Sequence, residues 1–68
     1  MEITINNQVK KLSDKNLTVQ QLLNMEIPDK QKGIAIAINN TVVPRTEWET
    51  KNILQNDNIL IIKATQGG

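Results

Sequence analysis

The sequence has no cysteine, histidine, tyrosine or phenylalanine, and only one tryptophan. Each absence closes a class of chemistry. Without cysteine there is no disulfide, no thiolate nucleophile and no thiolate metal ligand. Without histidine the commonest metal ligand and the usual general base are gone as well. Trp48 is the lone aromatic, so there is no platform on which nucleic-acid bases could stack. Eight Lys and Arg against seven Asp and Glu leave a formal charge of +1, with the two signs interspersed and no basic stripe. No apolar run approaches the ~20 residues that span a membrane. The opening MEITINN has no charged segment followed by an apolar one, which predicts no signal peptide. The expectation is a cytoplasmic protein, monomeric when alone, that binds neither nucleic acid nor membrane.

A chain of 68 residues makes one domain at most, and a domain this small buries only about 60% of its unfolded surface. With no disulfide or metal staple, aliphatic packing must hold it together. Isoleucine dominates the aliphatic set, and its β-branch suits strands.

The apolar pattern changes period along the chain. Met1, Ile3 and Ile5 alternate with polar residues, as in a half-buried strand. Asn6-Asn7 is turn chemistry, because Asn tolerates the left-handed backbone region, and Val9 to Leu12 completes a hairpin. Ser13 to Asn16 is a polar connector. Thr18-Val-Gln-Gln21 fits a capping box. Val19, Leu22 and Leu23 then fall at helical spacing, with Met25 or Ile27 closing the apolar face. Pro28 disfavours a helical residue before it and ends the helix. Pro28 to Gly33 reads as a charged loop. Ile34-Ala-Ile-Ala-Ile38 is a strand with three isoleucines on one face and Ala35 and Ala37 on the other. Asn39-Asn40 turns into a short strand at Val42-Val43, which Pro44 terminates or confines to an edge. Arg45 to Thr50 predicts a short helical turn containing Trp48. Gln55 to Asn58 turns into a last strand over Ile59 to Ala64.

This ββαββ order, with one helix over the isoleucine face of a small mixed sheet, predicts an α+β domain of the β-grasp, or ubiquitin-like, type. Its first and last strands should lie parallel at the sheet centre. A five-stranded open barrel is the structural rival, and the capped apolar helix argues against it. The whole chain, 1–68, reads as this one domain with a flexible tail over 65–68.

Few residues are placed for catalysis. Asp14, Glu26, Asp29, Glu47, Glu49 and Asp57 fall on loops or solvated faces, and no pair of them has acid–base spacing. Ser13 and the threonines have no histidine to activate them. Gly33 stands alone, so there is no phosphate-cradling loop. Trp48 reads as a packing residue over one end of the core, and Arg45 as an exposed or loop-tying cation. No metal site and no bound cofactor are expected, and the chain reads as no enzyme in its own right.

Two features point elsewhere. Leu60 and Ile62 fall on the face of the last strand opposite Ile59 and Ile61, where a purely structural sheet would carry polar residues. With Ala35 and Ala37 beside them they make a candidate partner-binding patch. The sequence then closes on Gly67-Gly68, a pair expected by chance at about one chain end in 200. A frayed, functionless terminus is the bland alternative. The functional reading is a slim, flexible stem carrying an ionised α-carboxylate, with no Cβ to crowd the acyl carbon. Attack of that carboxylate on the α-phosphate of ATP would give an acyl-adenylate. Nothing in this chain would bind ATP and Mg²⁺, so the activation would fall to a partner.

Ala35-Ile-Ala-Ile-Asn39, Val43-Pro-Arg45, Trp48, Asp57 with Ile59, and Gly67-Gly68 together resemble the ThiS-type sulfur carriers of bacterial thiamine synthesis. The resemblance runs through nearly the whole chain in the same order. It implies a carrier whose Gly68 carboxylate is adenylated by a ubiquitin-activating-type adenylyltransferase. A sulfurtransferase or cysteine desulfurase system then supplies the sulfur of a thiocarboxylate, which is donated to thiazole synthase. It further implies that Gly67 is the stem and that the Leu60 and Ile62 face docks the partners. From the residues alone three alternatives stand beside this: a molybdopterin synthase small subunit, a protein-conjugating modifier, and a non-covalent interaction module with an inert tail.

Overall fold

The computed structural model describes residues 1–29 and 31–63. The expectations for Ala64 and for the tail, including Gly67 and Gly68, lie outside the described residues. A hairpin of β1 (Glu2–Ile5) and β2 (Gln8–Lys11) opens the chain, and a two-residue β3 (Leu17–Thr18) leads into helix α1 (Val19–Glu26). A second hairpin, β4 (Ile34–Ile38) and β5 (Thr41–Val43), follows, then a 3-10 turn (Arg45–Glu47), β6 (Asn52–Ile53) and β7 (Asn58–Lys63).

The main sheet has the order β2-β1-β7-β4-β5. β7 is central, parallel to β1 and antiparallel to β4. The predicted parallel pairing of first and last strands is present, and the mixed sheet with one helix across it is the β-grasp arrangement. β5 lies at the edge and ends at Pro44, as the missing Pro N–H requires.

Both hairpins turn on Asn-Asn pairs. Asn6 and Asn7 have φ of 49° and 67°, and Asn39 and Asn40 have 50° and 70°. Positive φ at both central residues is what a type I′ turn needs, and its twist matches that of the strands it joins.

One face of the sheet carries Ile3, Ile5, Ile34, Ile36, Ile38, Val43 and Ile59, all buried. Val19, Leu22 and Leu23 of the helix close over them, with Leu17, Trp48 and Ile53. Ile27, rather than Met25, completes the helical face: it packs against the core, whereas Met25 is half-exposed. Ile27 is the residue where the chain leaves the helix, so it can fold inward.

The helix is short because its ends are fixed. The capping box is present in both directions, with Gln21 N–H donating to Thr18 Oγ1 (3.2 Å) and Thr18 N–H to Gln21 Oε1 (2.9 Å). The two remaining first-turn amides, of Val19 and Gln20, donate to the carbonyls of Lys51 and Trp48 at 3.0 and 2.9 Å. At the other end, Gln31 Nε2 donates to the Ile27 carbonyl at 2.9 Å. β3 and β6 pair with each other, Leu17 opposite Ile53, and bring the 48–51 segment to the helix start. The sequence shows neither strand, since two residues carry no periodicity.

Candidate functional site

β7 divides its side chains between two faces. Ile59 is buried and Ile61 packs against the core, while Leu60 and Ile62 point to the outer face, where Ile62 is 50% exposed. The register sets Ile62 opposite Ala35 and Leu60 opposite Ala37 on β4. The four residues singled out from the sequence therefore share one face and two adjacent strands.

Two details differ from the expectation. Ala37 is only 7% exposed, so it does not add open floor to the patch. Its methyl group sits between Leu60 on one side and Val42 on the other, and both larger side chains shadow it. Val42, unassigned in the sequence reading, is 66% exposed and belongs to this apolar face. The signal was its alternation with Val43, which is buried: two adjacent valines on a strand cannot share a face.

Asp57 also corrects an expectation, since it is buried at 7% exposure rather than solvated. Its Oδ2 accepts from the Leu54 N–H at 2.8 Å and its Oδ1 from Asn39 Nδ2 at 3.0 Å. Asn39 Oδ1 in turn accepts from the Asn58 N–H at 2.9 Å. The carboxylate thus ties the entry of β7 to the β4–β5 turn, and its hydrogen bonds offset the cost of burying it. Nothing about it resembles a catalytic acid.

Trp48 is buried, with its Nε1–H donating to the Val43 carbonyl at 3.0 Å. Arg45 lies over its ring, 4.8 Å from the centroid, and donates from Nη2 to the Gln31 carbonyl at 2.9 Å. Both residues do what the sequence predicted, closing the core and tying a loop. The helical turn Arg45–Glu47 stops one residue short of Trp48, which serves as its C-terminal cap.

On the inner side of β7, a groove of about 490 Å³ opens between the first hairpin and the end of α1, with Ile61 and Lys63 on one wall. Lys10 Nζ and Glu26 Oε1 meet across it at 3.2 Å, a partly exposed pair worth at most about 1 kcal/mol. Among the described residues no cluster of acidic side chains is arranged to hold a metal ion, and no helix is long and apolar enough to cross a membrane.

A mixed sheet with β7 at its centre and one helix across it places the chain in the ubiquitin-like fold class. The comparisons with known proteins give the particular kind. The sequence model of the ThiS family matches residues 2–68. The chain is 34% identical over 68 residues to the sulfur carrier protein ThiS of Escherichia coli (strain K12), covering 100% of both chains. Its fold is similar to the crystal structure of a thiamine biosynthesis protein (ThiS) from Geobacter metallireducens, with a TM-score of 0.88, 19% identity and 100% of both chains covered. An NMR solution structure of a thiamine biosynthesis protein from the same organism gives a TM-score of 0.82 at 19% identity, over 100% of this chain and 88% of that one. These two likenesses concern the fold alone. The chain belongs to the ThiS family and is a sulfur carrier of thiamine biosynthesis, not an enzyme.

Proposed function

We propose that Gly68 bears the transferred sulfur, that Gly67 is its stem, and that the outer face of β7 presents the pair to partner enzymes. The observation that carries this reading is the place of β7. It is the central strand, supported on both sides, and it runs toward the diglycine with Leu60 and Ile62 on an open apolar face.

In the reading proposed, a carboxylate oxygen of Gly68 attacks the α-phosphorus of ATP, which a ubiquitin-activating-type adenylyltransferase holds with Mg²⁺. Pyrophosphate leaves and an acyl-adenylate forms. A sulfurtransferase or cysteine desulfurase system then presents a persulfide whose terminal sulfur attacks the acyl carbon and expels AMP, and a thiol of that system cleaves the resulting acyl disulfide, leaving a disulfide on the donor. The product is a thiocarboxylate whose sulfur goes to thiazole synthase. This chain contributes no acid, base or metal to these steps. It contributes an uncrowded acyl carbon, since neither terminal glycine has a Cβ, and a docking face that turns a bimolecular encounter into a held geometry. ATP and Mg²⁺ act as the partner's reactants.

The docking face is tested by Ile62→Glu. An apolar contact at the centre of an interface is worth about 2 kcal/mol or more when lost, so the Kd for the adenylyltransferase should rise by about 30-fold. The thermal midpoint should stay near that of the unsubstituted chain, because Ile62 faces outward. Unfolding of the variant would place Ile62 in the core, and unchanged affinity would move the docking face elsewhere.

A further inference from the structure

The parallel ladder between β1 and β7 ends before β7 does. Backbone bonds run from Thr4 N–H to the Asp57 carbonyl and from Asn6 N–H to the Ile59 carbonyl, both at 2.9 Å. Alternate residues of β7 therefore address β1, and the next in that series is Ile61. At Asn6 the chain turns into the hairpin with φ of 49°, and the β1 backbone swings away. The side chain of Asn6 takes its place. Its Oδ1 accepts from the Ile61 N–H at 2.8 Å, and its Nδ2 lies 3.4 Å from the Ile61 carbonyl as donor. One carboxamide thereby stands in for a peptide group, with a close acceptor contact and a longer donor contact to the same residue.

We infer that Asn6 is a positioning residue for the carrier reaction. It extends two-sided support of β7 by one rung, to within two residues of the end of the strand. The direction in which Lys63 hands the chain on to the tail is then set by the sheet. This inference rests on the carrier reading above. Asparagine suits the position on two counts: it accepts the left-handed backbone at little cost, and its short planar carboxamide carries a donor and an acceptor on separate atoms, as a peptide group does. Its loss leaves the end of β7, beyond the Ile59 rung to β1, held by β4 alone, where Ala35 still pairs with Ile62. The docking face should thus survive, and the two-sided support of Ile61 should not.

The start of β7 supplies the control. Asn39, at the second Asn-Asn turn, makes a similar pair of side-chain contacts, to Asn58 N–H and to Asp57 Oδ1. Asn6→Gly and Asn39→Gly each keep a residue that tolerates positive φ and remove one such pair, one at the tail end of the strand and one at the far end. The experiment is steady-state adenylation of each variant by the adenylyltransferase, read as pyrophosphate release, with amide hydrogen exchange at Ile61. In Asn6→Gly, exchange at Ile61 should quicken and kcat should fall on the order of tenfold, with KM within about twofold because the docking face is kept. Asn39→Gly should lower the thermal midpoint and leave both constants near those of the unsubstituted chain. Asn6→Asp keeps the 2.8 Å acceptor but turns an acceptor oxygen toward the Ile61 carbonyl, and should recover only part of the loss. Equal losses of kcat in Asn6→Gly and Asn39→Gly would reduce Asn6 to a stability role and overturn the inference, as would Asn6→Gly turning over normally. If the unsubstituted chain releases no pyrophosphate, the carrier reading fails, and the positioning role falls with it.

Discussion

At the scale of the residue, the informative side chains are those whose polar atoms are spent inside the fold. Trp48 fills one end of the core and donates to the Val43 carbonyl. Trp48→Ala should cost about 3–5 kcal/mol, a large share of the stability of so small a domain, measured as a shift in the urea midpoint. Asp57→Ala strands the Leu54 N–H and Asn39 Nδ2 and should cost about 1–3 kcal/mol in the same measurement. The packing role of Trp48 was legible in the sequence, since a lone aromatic in an aliphatic chain has few other places to go. The burial of Asp57 was not. It depends on the approach of Asn39, 18 positions away, and a carboxylate in a polar run reads as solvated. The patch shows the same boundary. Alternation placed Leu60 and Ile62 outward and carried the same signal for Val42, but only the register shows Ala37 shadowed between Leu60 and Val42.

At the scale of the element, helix α1 and strand β4 are written plainly in the chain. Thr18, Gln21 and Pro28 mark the limits of the helix, and the isoleucine alternation marks the face of the strand. The helix start is tested by Thr18→Ala, which removes the cap acceptor and should cost about 1 kcal/mol; Thr18→Ser should restore most of it. β3 and β6 escaped because their reason is tertiary. They hold the 48–51 segment where its carbonyls can accept from the first helical amides. β7 combines both cases. Its apolar run and its inner and outer residues could be read directly, while its central place and the substitution of Asn6 for a β1 rung required the sheet.

At the scale of the whole molecule, the fold assigns one job to each side of the sheet. The inner face spends its isoleucines on stability and the outer face keeps a few apolar side chains in the open. The strand between them leads to the diglycine. Such a division lets the reactive end be altered without disturbing the core. A chain lacking Gly68 should keep its thermal midpoint nearly unchanged and lose all sulfur loading. Neither the sulfur source nor the acceptor is encoded in this geometry, which is why the residues alone left a molybdopterin carrier open and the family match was needed to select thiamine.

In the proposed reaction this chain is itself the acyl group being activated. That role is tested most directly by intact mass spectrometry after incubation with the adenylyltransferase, ATP, Mg²⁺ and a sulfur source. The expected result is a mass gain equal to one sulfur replacing one oxygen, mapped to Gly68 and absent when ATP is withheld. An unchanged mass under conditions in which the Escherichia coli relative is loaded, or a sulfur mapped to any other residue, would contradict it.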